Sequence, residues 1–274
     1  VNDSNNHRNG CPLRIQASGL TDVGLKRQHN EDSIEVNKPL RLFVVADGMG
    51  GHAAGEVASK AAIESVLGFI GHAPAGRDFS WPFGTPNAFS LKENILHTAV
   101  HLANLHLCQL SNINSRYDGM GTTMVAVYAP FDRLHIAHVG DSRVYRLRMG
   151  RLDQLTSDHS WVNEQLKRNV ITKEEARSHR WRNIITRALG SQRANLEVDL
   201  CSIELQVDDM LLLCSDGLTG MVDDTTITQI LNQDAGNLDA ACEALIATAN
   251  EAGGQDNISV VVLRVDPAVP SGSA

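Results

Sequence analysis

Four aspartates, Asp47, Asp141, Asp216 and Asp256, each stand at one end of an apolar run. Leu42-Phe43-Val44-Val45-Ala46 leads into Asp47, and Leu134 to Val139 leads towards Asp141. Met210 to Cys214 precedes Asp216, and Ile258 to Leu263 follows Asp256. Glycine lies beside or near each acid: Gly48, Gly140, Gly217 and the pair Gly253-Gly254. Runs of this length and composition read as buried strands. Carboxylates at the rims of such strands would repel one another if they converged, and a cluster of that kind normally persists because it holds cations. Oxygen-only ligands favour a hard ion, Mg²⁺ or Mn²⁺, over Zn²⁺. The chemistry that follows is metal-dependent hydrolysis. Taken singly, Asp47-Gly48 and Asp216-Gly217 are also ordinary turn dipeptides. It is the context shared by all four acids that favours ligands over turns.

Three further features bear on chemistry. The stretch Asp47-Gly48-Met49-Gly50-Gly51-His52-Ala53-Ala54-Gly55-Glu56 is glycine-dense and opens a helix. It lacks the Gly-Lys-Ser/Thr ending of a nucleotide-binding loop and fits G-x-G-x-x-G poorly. Its glycines read better as room for the backbone beside metals, with Gly48 offering a carbonyl. His52 has two open readings, a surface residue at a helix start or an acid–base group near the cations. Arg27, between two strand signals, reads either as a solvated loop charge or as a guanidinium that grips phosphate oxygens in bidentate fashion.

The elements that must position these residues are legible in outline. The 274 residues suit one large domain or two small ones. Short strands are expected at 13–20, 33–37 and 41–46. A helix is expected at 53–70, with Ala58, Ala62, Val66 and Phe69 at helical spacing, and a second with Leu91, Ile95, Ala99 and Leu102 on one face. Between them, 71–88 carries Pro74, Pro82 and Pro86 and reads as an irregular excursion. Consecutive antiparallel strands follow at 122–128, 134–139 and 144–148. The polar stretch 157–183 interrupts them as a lid-like insertion, and Thr172-Lys173-Glu174-Glu175 within it matches a capping box. Strands resume at 196–204 and 209–214. A helix through Leu238, Ala241, Cys242, Leu245 and Ala249 precedes the last strand, 258–265. The mixture is α+β rather than strict βαβ alternation. Residues 1–12 and 267–274 are expected to be tails around a domain at 13–266.

Composition narrows the function classes. A formal net charge of −8 argues against nucleic acid as the main partner. No apolar stretch approaches the roughly 20 residues that cross a bilayer. Five widely spaced cysteines form no C-x-x-C pair, which disfavours a zinc or redox motif and points to a reducing, cytoplasmic compartment.

Taken together, the blocks resemble the metal-dependent PPM-type serine/threonine protein phosphatases, the protein phosphatase 2C family, in their compact bacterial form. The matching blocks are Arg27-x-x-Asn30-Glu31-Asp32, Asp47-Gly48-Met49-Gly50-Gly51-His52, Gly119-Met120-Gly121-Thr122-Thr123, Gly140-Asp141-Ser142-Arg143, Thr186-Arg187-Ala188-Leu189-Gly190, Cys214-Ser215-Asp216-Gly217-Leu218 and Asp256-Asn257. They occur in the family's order across residues 24 to 257.

The resemblance implies a four-layer αββα sandwich: two antiparallel sheets flanked by helix pairs, metals at one edge and a flap at 157–183. It implies that Asp47, Asp216 and Asp256 hold a binuclear Mg²⁺/Mn²⁺ centre with the Gly48 carbonyl. Asp141, with Asp216, would serve a weaker third ion. Arg27 would bind the substrate phosphate, and Asp32 would order water at the metals. Two departures stand out. Eukaryotic members carry His, a proposed general acid, where this chain has Met49; bacterial relatives share the Met and offer a His three residues later, here His52. Many members have an acid at the position of Gly220, so its loss puts the strength of the third site in question. The expected activity is hydrolysis of phosphoserine and phosphothreonine in proteins by a metal-activated water, by a monomer in a serine/threonine kinase pathway, with neither nucleic acid nor membrane as partner. The competing readings are a pseudophosphatase that docks phosphoproteins without turnover and a hydrolase of small phosphorylated metabolites.

Overall fold

The computed structural model describes residues 13–50, 54–72, 81–84, 89–191 and 196–268. The expected N-terminal tail, most of the C-terminal one and His52 lie outside the described residues.

The long apolar runs become strands buried on both faces, which is why they show no polar alternation. One sheet runs β1(Arg14–Asp22), β11(Ile258–Asp266), β10(Met210–Cys214), β7(Arg143–Arg148), β8(Arg151–Gln154) in spatial order. The other runs β2(Asp32–Asn37), β3(Leu42–Met49), β5(Met124–Tyr128), β6(Arg133–Val139), β9(Asp199–Glu204), with the two-residue β4(Gly121–Thr122) paired to the end of β3. Every pairing is antiparallel.

Side chains on a strand alternate between faces, and here each face meets a different core. From β3, Leu42, Val44 and Ala46 join one core with α1(Ala54–Gly71) and α2(Leu91–Ile113). Phe43 and Val45 point the other way, into a core between the sheets that also takes Leu211, Leu213, Val261 and Leu263. From β10, Leu212 and Cys214 face a third core, closed by α6(Asp224–Gln233) and α7(Leu238–Glu251) through Ile227, Leu231, Leu245 and Ala249. Three parallel cores make four layers, αββα, as expected.

The insertion at 157–183 carries α3(Trp161–Lys167) and α4(Lys173–Ser178), and Thr172 and Glu175 form the expected capping box at the start of α4. The departures from the sequence reading are local. Residues 196–198 precede β9 rather than belong to it. The edge strand β8 and the helix α6 were not foreseen. Among the described residues no helix is long and apolar enough to cross a membrane.

Candidate metal centre

All four aspartates come to one edge of the sandwich, each where a buried strand ends. Asp47 lies near the end of β3, Asp141 in the turn between β6 and β7, Asp216 at the start of the four-residue α5(Asp216–Thr219) after β10, and Asp256 just before β11. A fifth acid joins them: Asp32 opens β2 directly opposite Asp47 in the antiparallel register. Two acids thus come from the strand pair of one sheet and two from the neighbouring strands of the other.

Hydrogen bonds lock this edge across both sheets. The Ser215 hydroxyl donates to Asp32 Oδ2 at 2.8 Å and accepts from the Ser259 amide at 3.0 Å. Asn257 accepts from the Glu31 amide at 2.8 Å and donates to the Val23 and His29 carbonyls at 3.0 and 2.9 Å. It therefore fastens the loop bearing Arg27 to the entry of β11, beside Asp256. The Asp47 amide donates to Thr123 Oγ1 at 3.1 Å, and the Thr122 hydroxyl donates to the Asp47 carbonyl at 2.9 Å. Glycine is needed where these loops touch. A Cβ on Gly48 would lie 2.1 Å from the Gly55 carbonyl oxygen, and one on Gly217 would lie 1.9 Å from that of Asn257.

The carboxylates raise one another's pKa. Burial pushes Asp47 well above the ordinary carboxylate range, and the charges of Asp32, Asp216, Asp141 and Asp256 all add to the rise. Burial lifts Asp32 to about 7, against hydrogen bonds from Ser259 and Ser215, with Asp216 and Asp256 contributing. Asp141 rises to about 8 through burial, then Asp216 and Asp158. Asp216 is raised by burial and by Asp256. Asp32 Oδ1 and Asp141 Oδ1 are buried with no hydrogen-bond partner among the described residues. Crowded carboxylates with idle lone pairs are the donor set of a hard divalent cation, so these residues fit Mg²⁺ or Mn²⁺.

Arg27 reaches the cluster from the rim. Its Nη2 pairs with Asp256 Oδ2 at 2.7 Å, and half of its side chain stays exposed. Gly220 is the C-cap of α5 with right-handed φ −72° and ψ −21°, so nothing in its own backbone angles demands glycine. A Cβ there would nevertheless come 2.9 Å from the Asp216 carbonyl oxygen. Restoring an acid at 220 therefore requires the turn that carries Asp216 to shift.

A profile of the protein phosphatase 2C family matches residues 25–257. The chain belongs to the protein phosphatase 2C family. It is 39% identical over 260 residues to the serine/threonine phosphatase stp of Listeria monocytogenes, covering 92% of this chain and 96% of that protein. It is 38% identical over 258 residues to the protein phosphatase PhpP of Streptococcus pneumoniae, covering 92% and 98%. Among solved structures, the Mycobacterium tuberculosis serine/threonine phosphatase PstP/Ppp superposes with a TM-score of 0.79 at 37% identity, over 93% of this chain and 99% of that one. A structure of the PstP catalytic domain with two manganese ions superposes with the same TM-score at 36% identity, over the same shares.

In this phosphatase 2C member the base of the 157–183 insertion is tied to the Asp141 turn by Arg143, from a matching block, and by His159, which the sequence did not single out. Arg143 clamps Asp158 through Nε and Nη2, at 3.0 and 2.7 Å. His159 donates its amide to the Gly140 carbonyl at 2.7 Å, accepts the Gly140 amide at Nδ1 at 3.1 Å, and meets Asp199 through Nε2 at 3.2 Å. His138, His159 and Asp199 lie close enough to suggest a metal triad. The Gly140 N–H fixes the Nδ1 lone pair of His159, however, so its Nε2 carries the proton towards Asp199. Arg187 adds a positive group 3.4 Å from that Nε2. We read the triad as an anchor of the 157–183 insertion. Arg187 lies in a matching block, but no sequence signal marks His159, whose partners are 19 and 40 positions away.

Proposed function

We propose that the chain hydrolyses phosphoserine and phosphothreonine in proteins, with two Mg²⁺ or Mn²⁺ ions held by Asp47, Asp216, Asp256 and the Gly48 carbonyl. The observation that carries this reading is the convergence of mutually repelling, incompletely hydrogen-bonded carboxylates at one sandwich edge beside a half-exposed arginine. The names of stp, PhpP and PstP support the substrate class, and the manganese ions of PstP support the cofactor.

When bound, the two ions would supply an activated water and neutralise phosphoryl charge. The chain's own groups do the rest. Arg27 offers its planar fork to two phosphoryl oxygens, and stabilises them most as charge builds up in the transition state. Asp32, held by the Ser215 hydroxyl at Oδ2, would order the activated water through its unpartnered Oδ1. Asp141, with Asp216, would serve a weaker third ion, its turn held in place by His159. His52 would protonate the leaving alkoxide. We place the enzyme in the cytoplasm as a monomer that acts on the substrates of a serine/threonine kinase.

Two variants probe the substrate-facing residues. Arg27→Ala should raise KM for a phosphothreonine peptide at least about ten-fold, since a charge-assisted bidentate contact is lost, and should lower kcat as well. Arg27→Lys should recover little of either loss. Wild-type constants in Arg27→Ala would remove Arg27 from the phosphate site. For His52→Ala the expectation is a selective defect: turnover of phosphoserine peptide falls, whereas p-nitrophenyl phosphate, whose leaving group departs without a proton, is spared. Equal losses on both substrates would assign His52 a supporting role beside the metals. The reading as a whole is tested by Mn²⁺-dependent phosphate release from phosphoserine and phosphothreonine peptides; turnover of sugar phosphates alone would overturn it.

A further inference from the structure

A second, chemically different cluster lies on α2, away from the carboxylates. His97 and His101 are one helical turn apart, so their side chains share a face. Their Nε2 atoms are 3.0 Å apart, and the two rings are tilted by 58°. Phe83 stacks on His101 with centroids 4.8 Å apart, and Phe89 lies 5.7 Å from His97. Burial keeps both imidazoles neutral at physiological pH, and His101, which His97 also disfavours, is held down to about 4. On the same stretch of helix, Asn94 Oδ1, His97 Nδ1 and Thr98 Oγ1 are buried with no hydrogen-bond partner among the described residues.

We infer that His97 and His101 form a binding site for a late first-row divalent cation, Cu²⁺ in preference to Ni²⁺ or Zn²⁺. The spacing sets the choice. At metal–nitrogen distances of about 2.0–2.1 Å, nitrogens 3.0 Å apart subtend about 91–97° at the ion. A tetrahedral ion would need them ~3.3 Å apart at the same bond length. A right-angled bite is that of the square-planar and tetragonal ions, and Cu²⁺ leads the affinity order for nitrogen ligands. Neutral imidazoles need lose no charge to bind. In the metal-free pair one Nε2–H donates to the other Nε2; binding requires that this ring move its proton to Nδ1, with no net release, and that both rings tilt so that their Nε2 lone pairs meet at the ion instead of along the hydrogen bond. The site also sorts its ion away from the carboxylate centre, since imidazole favours the later metals whereas carboxylates favour Mg²⁺ and Mn²⁺. Phe83 and Phe89, which precede α2 in the chain, pack against the two imidazoles.

The test uses the full chain saturated with Mg²⁺, which is silent in electron paramagnetic resonance, and half an equivalent of Cu²⁺. An axial Cu²⁺ spectrum with nitrogen couplings from two imidazoles is expected. His97→Phe and His101→Phe keep an aromatic ring for packing but remove the nitrogen. Each should weaken Cu²⁺ binding at least about ten-fold, abolish the two-nitrogen pattern and leave phosphatase turnover at its wild-type value. Should either variant fail to fold by circular dichroism, the corresponding Gln variant replaces it. Cu²⁺ bound with the wild-type spectrum and affinity in both variants would overturn the assignment, as would a wild-type chain without the two-imidazole signal.

Discussion

Replacing Asp47 by Asn should reduce kcat on a phosphothreonine peptide by at least about a thousand-fold, because partners that merely support a metal ligand already cost 10–100-fold. Asp256→Asn should behave alike. Asn keeps the shape and one oxygen but removes the charge that a hard cation needs. Asp47 has the strongest expected effect because, beyond its burial, the charges of four other acids, Asp32, Asp216, Asp141 and Asp256, all raise its pKa. The same variant should make the metal-free protein more stable, since a buried carboxylate crowded by four other acids is gone. Activity down and metal-free Tm up is a pair of changes that general misfolding does not produce. A variant with near-wild-type kcat would remove Asp47 from the centre.

The second large effect is on stability. In metal-free protein Asp32 and Asp141 are lifted to about 7 and about 8, from 3.8. A raised carboxylate pKa stabilises the fold fully below the unfolded value. That contribution is lost as pH rises through the folded one, because in that window the unfolded chain holds fewer protons. Stripped protein should therefore melt progressively lower from pH 5 to pH 8, and each kcal/mol lost lowers Tm by about 2 °C or more in a chain of this size. Saturating Mn²⁺ should reverse the trend, since the ionised carboxylates are then the binding form. At about 100 times Kd it should add about 2.7 kcal/mol. A metal-free Tm no lower at pH 8 than at pH 5, with no gain from Mn²⁺, would contradict this electrostatic picture.

Much of the site was legible because its chemistry sits at strand ends, and strands buried on both faces announce themselves as apolar runs. Leu42 to Ala46 and Met210 to Cys214 could be read without knowing their partners, and the acids after them stood out against those runs. What the residues alone left open was convergence. Asp32 and Asp47 face each other only through the β2–β3 register. Ser215 reaches Asp32 across 183 positions. The missed elements have local causes. Helix α6 carries Thr225, Thr226 and Thr228, which are poor helix formers, and shows only Ile227, Ile230 and Leu231 as its apolar face. Strand β8 is four residues long at a sheet edge and has no fully buried side chain. The anchor of the 157–183 insertion at His159 joins Gly140 to Asp199, and such a contact leaves no periodic trace.

The most direct test of the central claim is a phosphothreonine-peptide assay on protein stripped with EDTA, freed of chelator, and then titrated with Mn²⁺. The carboxylate centre predicts no phosphate release above background in stripped protein and recovery of full turnover as Mn²⁺ is restored, with Asp47→Asn failing to recover. Full turnover by the stripped chain would contradict the metal-dependent mechanism.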